Sequence, residues 1–288
     1  MENVRSEKGC FVQDSYVVYT TSDTCFLNEC LIEDNIKHMK KLVFVRHGES
    51  LWNKENKFTG WTDIDLTPRG IEQARAAGKL LKENGIVFDK AFSSFLVRAT
   101  NTLDLVLDEL KQKEIPISYT WRLNERHYGA LQGLDKTDTL EKYGEEKFKQ
   151  WRRSFDIPPP ELSEDDPRFS GNDPKYKDVP KAELPKTESL KNVIARVKPY
   201  WEKEIKPELE KDKTILISAH GNTLRAMKMI LDHMTPEQVL ELNIPYSVPF
   251  VYEFDDDMNV TKSYMLGDED EIKKATEEVA NQGKKKSS

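Results

Sequence analysis

Two short runs in this 288-residue chain each deliver an imidazole to the end of a buried strand. Lys41-Leu42-Val43-Phe44-Val45 is apolar and β-branched, as suits a strand covered on both faces, and Arg46-His47-Gly48 comes where it should stop. Far downstream, Thr214-Ile215-Leu216-Ile217-Ser218-Ala219 repeats the pattern, and His220-Gly221-Asn222 ends it. In open α/β sheets, ligands bind at the carboxyl ends of the strands. Two such strands in one sheet would bring two imidazoles and an arginine to one edge. A third run, Arg122-Leu123-Asn124-Glu125-Arg126-His127-Tyr128-Gly129, is too polar for a core.

These residue types narrow the chemistry. The three cysteines, Cys10, Cys25 and Cys30, all precede the first strand, and there is no nucleophile-elbow serine. The candidate nucleophile is therefore an imidazole nitrogen, which can carry a phosphoryl group covalently. Phosphoryl transfer needs guanidinium forks around the transferring oxygens. It also needs an acid/base for the hydroxyl, and Glu125 is the one carboxylate in the polar run. The remaining histidines are less promising. His127 reads as a loop-packing residue, and His38 and His233 as surface or helix-end residues.

The elements that must position these groups alternate along the chain. Strands are expected at 41–46, 87–92, 116–119 and 214–219. Thr67-Pro68 starts a helix with Ile71, Ala74, Gly78 and Leu81 on one face and Gly85 as its stop. A second helix begins near Phe95 with Leu103, Val106, Leu107 and Leu110 inward, and a third spans 137–153. A fourth covers 188–210 with Val193, Val197, Trp201 and Ile205 inward, and a fifth runs from His220 to Met234. Thr235-Pro236-Glu237-Gln238 is a capping box, and 249–254 with 260–265 form a closing hairpin. Strands alternating with helices predict a three-layer α/β/α fold with a mostly parallel central sheet and helices on both faces. Between 156 and 186 lies a stretch with seven prolines, and loops this long are usually functional or mobile.

Domain organisation comes from composition. Residues 1–38 carry seven acidic and three basic side chains and lack the pattern of a secretory or transit peptide. They read as a poorly ordered extension, with Val17-Val18-Tyr19 a short strand lacking a nearby partner. Residues 39–283 form the single domain, and 284–288 a mobile tail. With 33% charged and 37% hydrophobic residues, the composition suits a soluble protein. No apolar run approaches a bilayer span, and a net charge of −7 argues against nucleic acid as the partner. Cysteine usage fits free thiols in a reducing compartment, and no metal-ligand spacing is visible.

Arg46-His47-Gly48-Glu49-Ser50 resembles the signature of the cofactor-dependent phosphoglycerate mutases of the histidine phosphatase superfamily. The resemblance runs from residue 40 to about 283. It takes in Asn53, Phe58-Thr59-Gly60-Trp61, Leu123 to Leu131, Trp151-Arg152-Arg153 and Ser218-Ala219-His220-Gly221-Asn222. It implies that His47 carries the phosphoryl group, that His220 holds its oxygens from the opposite side, and that Glu125 is the general acid and base. Arg46 and Arg98 would bind the transferring group, assisted by Asn53, Gly221 and Asn222. Ser50, Thr59, Gly60, Arg126, Tyr128, Lys136, Arg152 and Arg153 would hold the substrate's carboxylate and second phosphate. It further implies interconversion of 3-phosphoglycerate and 2-phosphoglycerate, 2,3-bisphosphoglycerate as the priming cofactor, no metal, a cytoplasmic enzyme, and a homodimer or homotetramer.

The chain departs from that pattern in two places. Val97 stands before Arg98 where the family has a lysine, and residues 1–38 have no counterpart in typical members. One rival reading keeps the site but makes the enzyme a bisphosphoglycerate synthase or phosphatase. Ser50 and Thr59-Gly60 argue against the synthase. The other rival, a non-catalytic binding protein, sits badly with an intact His47 and Glu125.

Overall fold

The computed structural model describes residues 40–282, together with the backbone of residues 12, 13, 16 and 17. The chain divides into two units, Met1–His38 and Met39–Ser288. Within the first, strands β1 (Val12–Gln13) and β2 (Tyr16–Val17) pair antiparallel, with Val12 opposite Val17. The strand expected at 17–19 thus has a partner after all, a few residues upstream of it, and residues 18 and 19 lie outside the described residues. So do the rest of 1–38, His38 included, and the tail 284–288.

The second unit is built on strands β3 (Lys40–Arg46), β4 (Lys90–Ser93), β5 (Ile117–Tyr119), β6 (Thr214–Ala219), β7 (Phe250–Phe254) and β8 (Val260–Met265). Their spatial order is β5-β4-β6-β3-β7-β8. The first four run parallel, and the closing hairpin pairs antiparallel. Around the sheet lie α1 (Leu51–Lys54), α2 (Pro68–Glu83), α3 (Val97–Leu110), α4 (Lys136–Arg153), α5 (Leu190–Tyr200), α6 (Lys206–Leu209), α7 (Gly221–Leu231), α8 (Pro236–Glu241) and α9 (Glu269–Asn281).

Alternation along the strands divides the core in two, because successive side chains point to opposite faces. Val43 and Val45 join Ala77, Leu81, Leu103, Val106 and Leu107 of α2 and α3 on one face. Leu42 and Phe44 join Val193, Val197, Leu224 and Met227 of α5 and α7 on the other. This is the mostly parallel sheet, covered on both faces, that the alternation of elements predicts. Register does the rest: Arg46 lies opposite Ala219 across the β3–β6 ladder, so the next residues, His47 and His220, emerge side by side.

Several boundaries differ from expectation for identifiable reasons. The strand at 87–92 starts only at Lys90, and Val87 is 67% exposed. Ile71 is also exposed, because α2 turns Gly70, Ala74, Ala77, Gly78 and Leu81 inward instead. The helix at 188–210 is broken by a widened turn at Trp201–Ile205. Pro199 and Pro207 lack the N–H groups that a continuous ladder requires. The stretch 156–186 forms three short turns of 3₁₀ helix and packs Phe169, Tyr176 and Leu184 against Trp61 and Trp121. Helix α9 is an element that the hydrophobic patterning does not announce.

Candidate active site

The His47 backbone N–H extends the β3–β6 ladder to Ala219 O at 2.9 Å. The His47 and His220 rings then lie 5.0 Å apart at 55°. His47 Nδ1 is 2.7 Å from Gly48 O. A carbonyl can only accept, so Nδ1 carries the proton and Nε2 keeps its lone pair. The loop holding this ring is pressed onto the start of α2. A Cβ on Gly48 would meet Gly70 O at 2.2 Å, and one on Gly70 would meet Glu49 O at 2.1 Å. Only glycine at both positions allows that approach.

His220 is held from the neighbouring strand. Its Nε2 lies 2.7 Å from Ser94 Oγ, which already accepts from Leu96 N. Where the Ser94 hydroxyl donates its proton to Nε2, the proton of His220 is on Nδ1. That Nδ1 is buried and has no partner among the described residues. Both imidazoles are held well below their ordinary proton affinity, chiefly by burial and then by Arg98. Both are therefore neutral at pH 7, the state a nucleophile requires.

Arginines surround the pair, each tethered to backbone carbonyls. Arg46 donates to Ile244 O at 2.7 Å and lies over the Tyr246 ring, while its buried Nε has no partner among the described residues. Arg98, 1% exposed, donates to Gly60 O and Thr62 O at 2.7 and 3.0 Å. Burial pushes its guanidinium down to about 10, still a cation at pH 7. Val97, which precedes Arg98, is held through its backbone. Asp63 accepts from Val97 N, and Lys175 of the proline-rich stretch donates to Asp63 and Phe95 O.

Glu125 is fixed through one oxygen. Its Oε1 accepts from Arg126 N at 2.8 Å and from both Asn222 N and Asn222 Nδ2 at 3.1 Å. The backbone behind it is clamped as well. Arg196 donates to the carbonyls of Arg122, Asn124 and Glu125 and pairs with the buried Glu188 at 2.6 Å. His127 packs within this clamp: its N–H donates to Glu188, and its ring Nδ1 accepts from Gly129 N.

These groups open onto a half-open cavity. Its wall includes Arg46, His47, Arg98 and Glu125, Asn53 of α1, the loop residues Thr59 and Gly60, and Tyr128, Gly221 and Asn222. Its far side is cationic, with Lys136, Arg152 and Arg153. Burial, then Arg152 and Arg46, lower the Lys136 ammonium to about 7. Burial and Arg153 lower Arg152 to about 10. Three expected residues are not on the wall. Ser50 caps α1 and holds Asn53. Arg126 is buried beneath Tyr128 and donates to the carbonyls of Trp151 and Arg152. His220 stands behind His47.

The wall also includes residues that no motif marked: Lys57, Arg225, Asn243 and Ile244, with Val279 and Gln282 from the end of α9. Arg225 was within reach of the sequence, since it comes three residues after Asn222 on a helix and so shares its face. Nothing comparable flags α9. The cavity suits a multiply charged phosphate ester, because two residues of its wall carry buried polar atoms, Arg46 Nε and Thr59 Oγ1, that lack partners among the described residues. Among the described residues, no group of three or more His, Cys, Asp or Glu could hold a metal ion, and no helix is long and apolar enough to cross a membrane.

A fold and site of this kind define a class of histidine-based phosphoryl-transfer proteins. The sequence model of the histidine phosphatase superfamily (branch 1) matches residues 42–265, and the chain belongs to that superfamily. Among curated relatives, the 2,3-bisphosphoglycerate-dependent phosphoglycerate mutase of Parabacteroides distasonis is 56% identical over 248 residues, covering 86% of this chain and 100% of the relative. The protein of the same name from Borreliella afzelii is 58% identical over 246 residues, covering 85% and 99%. Among solved structures, the alpha-ribazole phosphatase of Shigella flexneri superposes with a TM-score of 0.59 at 22% identity, covering 79% of this chain and 96% of that one. A mycobacterial glucosyl-3-phosphoglycerate phosphatase gives 0.59 at 21%, covering 78% and 96%. At that identity the structures share the fold.

Proposed function

We propose that this enzyme is a phosphoglycerate mutase, interconverting 3-phosphoglycerate and 2-phosphoglycerate through a phosphohistidine at His47. The observation that carries the reading is the pair of imidazoles whose rings lie 5.0 Å apart, His47 on the wall of a cation-lined cavity and His220 directly beside it. The 56–58% identity to mutases of that name supports it. 2,3-Bisphosphoglycerate supplies the priming phosphoryl group. The unpaired polar atoms of the wall at Arg46 and Thr59 fit such an anion.

Each residue has a definite task. His47 Nε2 bonds to phosphorus, with Nδ1 steadied by Gly48 O. Arg46, Arg98 and His220 Nδ1–H spread the charge on the transferring oxygens, assisted by Asn53, Gly221 and Asn222. The free Oε2 of Glu125 takes the proton from the attacking substrate hydroxyl and returns it when the other phosphoryl group moves back to His47. Thr59, Gly60, Tyr128, Lys136, Arg152 and Arg153 hold the substrate's carboxylate and second phosphate. Ser50 acts through the α1 cap that carries Asn53, and Arg126 through Tyr128 and the carbonyls of Trp151 and Arg152. A homodimer or homotetramer in the cytoplasm belongs to the same proposal and rests on the resemblance.

The test combines a coupled assay for 2-phosphoglycerate with intact mass after exposure to 2,3-bisphosphoglycerate. The proposal requires product formation and one acid-labile phosphoryl adduct, both absent in His47→Ala. Phosphate release without 2-phosphoglycerate, or labelling of His47→Ala equal to the parent, overturns it.

A further inference from the structure

We propose that Arg225 is a positioning residue for the acid/base, acting through the side-chain amide of Asn222. The inference rests on the mutase reading and extends it to a residue outside the signature motifs.

Arg225 lies one turn after Asn222 on α7 and is 7% exposed. Its guanidinium is spread over three acceptors. Nε and Nη2 donate to Val239 O at 3.1 and 2.8 Å, Nη2 also to Leu240 O at 2.7 Å, and Nη1 to Asn222 Oδ1 at 3.3 Å. The last contact decides which way the amide faces. A guanidinium has donors only, so the Asn222 atom turned toward it is the oxygen. The atom turned the other way is then the NH₂. It donates to Glu125 Oε1 at 3.1 Å and toward Tyr128 OH at 3.4 Å. Without Arg225 the amide is oriented from one side only, by the acceptor-only carboxylate of Glu125, and its oxygen loses the donor that holds it in place, so it samples the flipped orientation more often. In that orientation Glu125 would lose a donor, gain a repulsive neighbour, and be released from the geometry that leaves Oε2 free.

The same guanidinium steadies a second part of the wall. Leu240 O is shared with Arg153 Nη1, which donates to it at 3.2 Å, and Ile244 O, four residues on, accepts from Arg46. Arg225 therefore joins the acid/base to the segment whose carbonyls tether Arg46 and Arg153. It does so from the cavity wall, through the amide of Asn222 and the carbonyls of Val239 and Leu240.

Arg225→Lys keeps the charge but cannot fork across Val239, Leu240 and Asn222. It should lower kcat about ten- to hundredfold, the scale of a misplaced catalytic group, with KM within about twofold of the parent. Combined with Asn222→Ala, an Arg225→Met change should add less than about twofold to the loss from Asn222→Ala alone, because the two act in series. A readout independent of turnover is the side-chain amide of Asn222 in ¹⁵N-labelled protein. Its two protons should be sharp and slow to exchange in the parent and broadened in Arg225→Lys. Parental kcat in Arg225→Lys, losses that multiply in the double variant, or an unchanged Asn222 amide signal overturns the proposal. If Arg225→Met does not fold, the Arg225→Lys kinetics and amide signal decide the matter alone. Absence of mutase activity in the parent counts against the functional reading, whereas the amide signal still judges this one.

Discussion

The two ends of the cavity are built on different principles. At the phosphoryl end, His47 and His220 leave adjacent strands in register, and Arg46 and Arg98 are each tied to backbone carbonyls. The opposite end draws Lys136, Arg152 and Arg153 from the two ends of α4, which is kinked at the left-handed Gly144, and there burial and neighbouring cations lower the proton affinity of two of the three. One end is rigid before substrate arrives. The other is a concentration of like charge that an anion relieves. Substitutions at the first end should therefore lower kcat, and those at the second should raise KM.

The largest effect is expected from His47→Ala, which removes the group that carries the phosphoryl and should lower kcat by roughly 10⁴-fold or more. Arg98→Gln removes a fixed charge from the transferring oxygens, and a loss of about 10²–10³ in kcat is expected. At the other end, Arg152→Ala should raise KM by about tenfold, the worth of a charge-assisted hydrogen bond, with kcat within about threefold. Its apparent melting temperature without ligand should not fall, since a repelling neighbour of Arg153 has gone. Parental KM in that variant would erase the contrast between the two ends.

The contrast sharpens with pH. In the free enzyme Lys136 loses its proton as pH rises through about 7, so KM should climb between about pH 7 and 8.5. Stability should move the opposite way. Between about 7 and the ordinary 10.5 of a lysine, the unfolded chain holds a proton that the folded chain does not, so raising pH favours the fold over that window. The imidazoles add a second window: unfolded histidines take up protons near 6.5 while His47 and His220 refuse them, so stability falls as pH drops below about 6.5. Denaturant melts across pH 5 to 9, with and without 2,3-bisphosphoglycerate, read both windows. The smallest effect belongs to the outer latch of α9, where Arg69 and Glu278 form a paired contact at 2.6 Å with both side chains about half exposed. Such pairs contribute under about 1 kcal/mol and are screened by salt. Arg69→Ala should change KM less than threefold, and only at low ionic strength.

The same division governs how much the sequence reveals. His47 and His220 are legible because a buried strand announces itself by local composition, and register fixes the place of the residue just past its end. Glu125 is legible by elimination in a polar run. Helix α9 is not, because its start, Glu269, Asp270 and Glu271, reads as solvated chain. Only Val279 and Gln282 reach the cavity, the latter donating to Tyr246, whose ring faces Arg46 and His47. Arg196 escapes notice for a similar reason. Its clamp on the Glu125 backbone is made to carbonyl oxygens, which leave no trace in residue type. Val87 misleads in the other direction: an apolar β-branched residue before a strand stands mostly in solvent.

The pairing of Lys41 with Thr214, held in register through Arg46 and Ala219, has a consequence during biosynthesis. The two rings are separated by most of the polypeptide, and no earlier segment can stand in for the second strand. A ribosome must release residues 214–219 before anything in the growing chain can share a phosphorus atom, and closing a loop of that length is entropically slow. Chemistry thus switches on late, after the first part of the wall, from Arg46 to Arg153, has already been made.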